Sequence, residues 1–448
     1  MCTTIVVGKK RSATGSVLVA HSEELGRNSA HKIEISPRRI TAPRETYPLY
    51  SGGTLQQPGE LPRYIATKIF DKEHYPGEHT GGVNEYGVTV SNNMALMRGI
   101  PEAQGYEVVP GGVIWTEFVQ LVLERARSAR QGAALIGELC SKHGLSCDSG
   151  TMLAVADYDE AWWVELARGG QWVAKRVGPD EIVTRANCYR IGVVDFDDAE
   201  NFLCSPTLID HARSQGWYAD GPFAAQGKPF DFAAVYGDPK NQSDAYNCDR
   251  HAVLESRYSA LAKVGVPDLM RFLRDTFEGT PQCKRGENGS PFRTGVRTIA
   301  RMNTEASTII ELRPNFPPHM GNRMWCGMAT SLTSVYLPFH LGINAVEPHF
   351  AYASGSYDPA SAYWLFTELA RLADCGYSKC IETITSTWQK FEAETWSTLP
   401  EVEARAAALE PAAACALLTA YDRERADEAI RQVRELLREV KTRVFYEA

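Results

Sequence analysis

A β-hairpin at the start of the chain constrains its fold more than any other feature of the sequence. The run Cys2-Thr3-Thr4-Ile5-Val6-Val7 is rich in β-branched residues, Gly8 to Gly15 carries turn-forming Gly and Ser, and Ser16-Val17-Leu18-Val19-Ala20-His21 returns as a second strand. Antiparallel pairing sets Cys2 opposite the far end of that second strand. Cross-strand side chains come within ~4.5 to 5.5 Å, so residues near His21 and Glu24 are expected companions of Cys2.

Further along, apolar residues recur at helical spacing from Trp115 to Arg127 and again from Gln131 to His143, with Ser128 and Gly132 at the join. This predicts a helical hairpin covering a sheet. Thr151–Ala156, Ala161–Leu166, Gln171–Val177 and Glu181–Arg185 read as an antiparallel meander, broken by Asp157-Tyr158-Asp159 and Gly169-Gly170. Arg297–Met302, Ser307–Arg313, Asn322–Met328 and Ser334–Leu337 repeat the rhythm, so two sheet-forming regions bracket helical material. From Asp358 to Ala448 the pattern is helical: Ile430, Val433, Leu436, Leu437, Val440 and Val444 form one apolar stripe, and Arg431 and Glu435 sit four apart on another face. We find no internal repeat, low-complexity tract or domain linker.

At 448 residues the chain buries an ample core without needing disulfides. Its formal charge of -8 and the lack of a dense basic block argue against nucleic acid as a partner. The eleven cysteines are scattered and odd in number, which fits a reducing compartment. The spacings Cys140/Cys147 and Cys375/Cys380 have no matching ligand pair, so no metal and no cofactor are expected. Lys9-Lys10-Arg11 follows the first apolar stretch instead of preceding it, and no run approaches the ~18 to 20 apolar residues of a membrane span. A cytoplasmic protein with no membrane partner is expected, and a homo-oligomer is left open.

The chemistry concentrates at Cys2. Removal of Met1 leaves one residue with a thiol titrating near ~8.5 and an α-amine near ~7.7 to 8.0, a nucleophile and a general base on the same carbon. No catalytic histidine is then required. The bland alternative is that Cys2 is a small hydrophobe starting a buried strand. A papain-like Cys/His arrangement is set aside because no internal cysteine carries the local signature.

Several blocks together, beginning with Met1-Cys2-Thr3-Thr4-Ile5-Val6-Val7-Gly8-Lys9-Lys10, Ala20-His21-Ser22-Glu23-Glu24 and Gly82-Val83-Asn84-Glu85-Tyr86-Gly87-Val88, resemble the dipeptidase A family of N-terminal-nucleophile hydrolases. Asp159-Glu160-Ala161-Trp162, Arg185-Ala186-Asn187-Cys188-Tyr189-Arg190-Ile191, Tyr246-Asn247-Cys248-Asp249-Arg250, Arg297-Thr298-Ile299-Ala300-Arg301 and Ser334-Val335-Tyr336-Leu337-Pro338-Phe339 continue the resemblance in the family's order. It spans residues 2 to about 350.

The resemblance implies an α+β fold, an αββα sandwich of two antiparallel sheets, with a catalytic domain over 2–355 and a helical region over 356–448 packed on it. It implies hydrolysis of dipeptides through an acyl-enzyme on Cys2, with a small peptide as the partner. It assigns the acidic residue beside the nucleophile to Glu24, with Glu23 as runner-up if the strand end slips by one. Asn187 is the implied oxyanion donor and Arg250 the arginine beside the nucleophile. His21 stands where many relatives carry arginine, which makes the local charge pH-dependent. Asn92 and Asn93, placed after the Val88-Thr89-Val90 strand, are second oxyanion candidates. Read alone, each has a plainer explanation: a solvated Glu-Glu pair, turn-forming asparagines, and a surface ion pair of Arg250 with Asp249 or Glu255. Trp162, Trp163 and Trp325 are pocket walls or core. Two other functions stay open: an amide hydrolase or acyltransferase acting on N-acyl amides, and a secernin-like binding protein without turnover.

Overall fold

The first hairpin forms as its sequence demands. In the computed structural model, which describes residues 2–25, 29–70, 79–99, 109–147, 149–218 and 229–446, β1 (Thr3–Val7) pairs antiparallel with β2 (Leu18–Glu24). These are two central strands of a six-stranded antiparallel sheet. Its spatial order is Ile182–Arg185, β1, β2, Thr304–Leu312, Asn322–Met328, Leu337–His340.

A second antiparallel sheet has eight strands. It runs Phe202–Cys204, Gln171–Val177, Ala161–Ala167, Gly150–Ala156, Thr89–Ala95, His79–Asn84, Tyr64–Phe70 and β3 (Ala30–Ser36). The sheets stack face to face. Thr4 Oγ1 on β1 donates to Asn93 Oδ1 on the Thr89–Ala95 strand at 2.5 Å, and Asn322 Nδ2 donates to the carbonyl oxygen of Asn84 at 3.2 Å.

Helices cover both outer faces. α1 (Trp115–Arg125) and α2 (Ala129–His143) bury Phe118, Val119, Val122, Ala133 and Ile136 against Val155, Trp162 and Val164 of the eight-stranded sheet. On the other side the helices Ala245–Ser259 and Val266–Leu273 pack on Ile5, Val7, Leu18 and Ala20. The result is the expected four-layer αββα arrangement. Alternation along β1 and β2 explains the layering: Val6 and Val19 face the opposite sheet, while Ile5, Val7, Leu18 and Ala20 face the helices.

Residues 362–446 carry the helices Ala362–Cys375, Tyr377–Ala407 and Pro411–Tyr446. The stripe Ile430, Val433, Leu436, Leu437 and Val440 is buried in one cluster with Met324, Cys326, Leu337 and Phe339 of the six-stranded sheet. Charge ties the same layers together: Glu403 accepts from Arg323 Nη1 at 2.7 Å, and Asp422 accepts the backbone N–H of His340 at 2.8 Å. No helix among the described residues is long and apolar enough to cross a membrane.

Four expectations are corrected. The run at 181–185 leaves the meander and pairs with β1 in the other sheet, because β1 has an open edge there. Residues 297–302 form no strand. The last strand is Leu337–His340 instead of Ser334–Leu337, and Arg431 pairs with Asp427 and Glu428 in place of Glu435. Of the two readings left open for Trp162, Trp163 and Trp325, core is the one observed: all three are fully buried.

Candidate active site

Cys2 lies between the two sheets at the head of β1. The register Thr3↔Ser22 and Thr4↔His21 puts Cys2, Thr4 and Val6 on the same face as Val19, His21 and Glu23. Cys2 Sγ donates to Glu23 Oε1 at 3.2 Å, and His21 Nε2 meets Glu23 Oε2 at 3.1 Å. His21 Nδ1 meets Thr4 Oγ1 at 2.8 Å, whose bond to Asn93 carries the chain of contacts across to the second sheet. All of these residues are buried.

The acidic assignment is therefore corrected from Glu24 to Glu23. A side chain one position along a strand points to the opposite face, and Glu24 turns to the helical side, where Arg297 Nη2 donates to it at 2.7 Å. The Glu24 charge opposes the Cys2 thiolate, while a backbone hydrogen bond from Glu24 favours it.

Arg250 reaches the site from the Ala245–Ser259 helix, fully buried. Its Nη1 donates to the Cys2 carbonyl and to Thr3 Oγ1, each at 2.9 Å. Its Nη2 donates to Asn187 Oδ1 at 2.9 Å and Asn247 Oδ1 at 3.0 Å, and its Nε to the carbonyl of Tyr246 at 2.8 Å. Neither Asp249 nor Glu255 is among these partners. Asn247, one helical turn before Arg250, also accepts the backbone N–H of Asn187 at 3.0 Å.

With Oδ1 held by Arg250, the Asn187 amide can point only its nitrogen elsewhere; Nδ2 donates one hydrogen to the carbonyl of Met94 at 2.9 Å and retains a second. The Asn187 amide is thus held in one orientation, with one N–H left over. Asn92 and Asn93 lie within the Thr89–Ala95 strand, not in a turn after it. Asn93 is structural: Nδ2 donates to the carbonyls of Arg185 and Ala186 at 3.2 and 3.0 Å. Asn92 is buried, and its Oδ1 has no partner among the described residues.

Electrostatics set the resting state. Burial, reinforced by the Glu23 charge, pushes the Cys2 thiol up to about 12. Burial also opposes ionisation of Glu23, but the hydrogen bond and charge of His21 outweigh it and hold the carboxyl below its ordinary value. A protonated thiol beside an ionised carboxylate can react only if its proton is taken by a base at the same spot. Cys2 Sγ, His21 and Glu23 also bring one sulfur, one nitrogen and one oxygen within 4.8 Å of each other. The hydrogen bonds among them account for that closeness.

Residues 1–390 match the model of peptidase family C69. The chain belongs to that family. A probable dipeptidase of Salmonella dublin is 28% identical over 367 residues, covering 78% of this chain and 82% of its own. A dipeptidase of Bifidobacterium longum is 26% identical over 425 residues, covering 83% and 77%. Among solved structures, a mutant of the conjugated bile acid hydrolase of Clostridium perfringens aligns over 76% of this chain and 92% of its own, at 10% identity and a TM-score of 0.42. Penicillin V acylase of Agrobacterium tumefaciens aligns over 76% and 86%, at 12% identity and a TM-score of 0.41.

Within this C69 chain, the sequence reading did not single out Thr4 and Asn247. Both were in reach of simple counting: Thr4 shares strand parity with Cys2, and Asn247 sits three residues before Arg250 on a helix.

Proposed function

We propose that this chain is a dipeptidase whose nucleophile is the thiol of Cys2, freed for catalysis by removal of Met1. The observation that carries the reading is the buried contact of Cys2 Sγ with Glu23, on a strand head whose carbonyl is held by Arg250. Membership of a peptidase family and the relatives' names support the reaction class.

The chemistry follows from the groups present. The free α-amine of Cys2 takes the thiol proton, and sulfur adds to the peptide carbonyl to give a tetrahedral oxyanion. The spare N–H of Asn187 stabilises that charge; losing one such donor typically costs ~10²- to 10³-fold. The ammonium then gives its proton to the departing amine as the C–N bond breaks, leaving a thioester. Water, deprotonated by the same amine, adds to the thioester; the C–S bond breaks and an amino acid leaves. Glu23 orients the amine and balances its positive form.

Steady-state assay of the Met1-trimmed chain on a panel of dipeptides beside N-acyl amides tests the reading. Dipeptide cleavage that disappears in Cys2→Ala supports it; turnover of N-acyl amides alone overturns it. A reducing compartment suits its eleven cysteines.

A further inference from the structure

Next to the nucleophile lies a buried polar group that this mechanism leaves unused. Where β2 meets the strand Thr304–Leu312 the register slips, with Thr304 opposite Glu24 and Ala306 opposite Glu23. Glu305 is the extra residue of this bulge, and bulges re-aim side chains beside functional sites. Its Oε2 accepts from the hydroxyl of Tyr363 on the Ala362–Cys375 helix, and its carboxylate also takes a backbone hydrogen bond from Ser29. Its Oε1 is buried with no hydrogen-bond partner among the described residues.

Ser29 Oγ and His31 Nε2 are buried in the same unpartnered condition. The three residues are joined, since His31 Nδ1 bonds the Ser29 carbonyl at 2.9 Å while the Ser29 backbone bonds Glu305. With Nδ1 donating to that carbonyl, neutral His31 presents a lone pair at Nε2. A carboxylate oxygen, an imidazole nitrogen and a hydroxyl, on three residues linked by these bonds, are thus buried without partners among the described residues, each residue only 1% exposed. Unmade bonds of this kind are costly and need an explanation. The bulge register, with Ala306 opposite Glu23 and Thr304 opposite Glu24, puts Glu305 at the strand end that carries the nucleophile's own carboxylate. Glu23 is engaged by Cys2 and His21 and, in the proposed mechanism, is assigned to the Cys2 amine.

Three acceptors match the three hydrogens of a primary ammonium. We propose that Glu305, with Ser29 and His31, receives the α-ammonium of the substrate, the feature that separates a dipeptide from an N-acyl amide. This inference rests on the dipeptidase reading. In a dipeptide that nitrogen sits one carbon from the scissile carbonyl and so must lie close to Cys2. Burial, with the Glu23 charge adding to it, outweighs the Tyr363 and Ser29 hydrogen bonds and the charge of Arg371 and pushes the Glu305 carboxyl up to about 8. An ammonium arriving at Glu305 Oε1 favours the ionised carboxylate.

The experiment compares alanyl-alanine with propionyl-alanine, which lacks only the amine, on the trimmed wild type, Glu305→Gln and Ser29→Ala. We expect Glu305→Gln to lose about 10²-fold in kcat/KM on alanyl-alanine, mostly through KM, and Ser29→Ala about 10-fold. Both should keep wild-type rates on propionyl-alanine and wild-type alkylation of Cys2. Equal losses on the two substrates, or no loss on alanyl-alanine in either variant, overturn the inference and leave the peptidase reading standing. A wild type inactive on every dipeptide overturns both.

Discussion

Arg250 donates to the carbonyl oxygen of Cys2 at 2.9 Å across 248 positions of sequence, and the same guanidinium holds Asn187 Oδ1 at 2.9 Å. One planar fork thus joins the nucleophile's own backbone to the Asn187 amide, the proposed oxyanion donor. An ammonium cannot reproduce that fork. Arg250→Lys should therefore lower kcat about 10²-fold with KM little changed, because the lost alignment matters most in the transition state. Steady-state kinetics, with the Cys2 alkylation rate as a second readout, check this; an unchanged kcat refutes the positioning role.

Glu23 and Glu24 should separate cleanly when each is changed to glutamine. Glu23→Gln removes the charge that orients the Cys2 amine and should reduce kcat by about 10² to 10⁴. Glu24→Gln leaves the buried Arg297 without its carboxylate and should cost about 3 kcal/mol of stability while sparing kcat. Kinetics and denaturant unfolding on both variants decide between the two carboxylates. Loss of turnover confined to Glu24→Gln reverses the assignment.

That pair also shows how far the sequence could be read. The hairpin, α1, α2, most meander strands and the final helices follow from periodicity, and the family resemblance named Cys2, Asn187 and Arg250. Choosing Glu24 beside His21 broke the period of two, since residues three apart on a strand lie on opposite faces. Counting from Thr4↔His21 was enough to prefer Glu23. Other features had no local signal. Residues 182–185 read as the next strand of a meander, yet they complete the other sheet, a choice made by long-range packing. Glu305 looks like an ordinary strand residue until the bulge that isolates it is seen.

Thiol reactivity should report on processing. With Met1 attached the Cys2 nitrogen is an amide, and burial with the Glu23 charge keeps the thiol up to about 12. Thiolate is then scarce at neutral pH, and alkylation of the untrimmed chain should be slower than that of free cysteine and rise with pH beyond ~8.5. Trimming supplies the amine and should accelerate labelling of Cys2 near pH 7 at least 10-fold. Intact mass after timed iodoacetamide treatment measures both forms. Equal labelling rates refute the role of the amine.

A charged network gives the attachment of the C-terminal helices its own pH dependence. His340 Nδ1 bonds both carboxylate oxygens of Asp422 at 3.0 Å, and its Nε2 bonds Glu403 Oε1 at 3.0 Å, joining the Leu337–His340 strand to two helices. Burial opposes the charge on His340, but Asp422 and Glu403 outweigh it and raise its pKa above the ordinary value. Burial likewise opposes ionisation of Glu403, but His340 and Arg313 bonding, with the Arg323 charge, holds it well below the usual carboxylate range. A raised histidine contributes fully below ~6.5, and its contribution fades as pH rises through its folded pKa. A lowered glutamate contributes above ~4.3 and fades as pH falls through its folded pKa. Stability from this network should therefore be largest between about pH 4.3 and 6.5 and decline on either side. His340→Gln should flatten the alkaline limb and cost about 3 kcal/mol near pH 6, since it strips a partner from two buried carboxylates. Denaturant unfolding from pH 2 to 9 on wild type and variant measures both limbs; identical profiles refute the network's role.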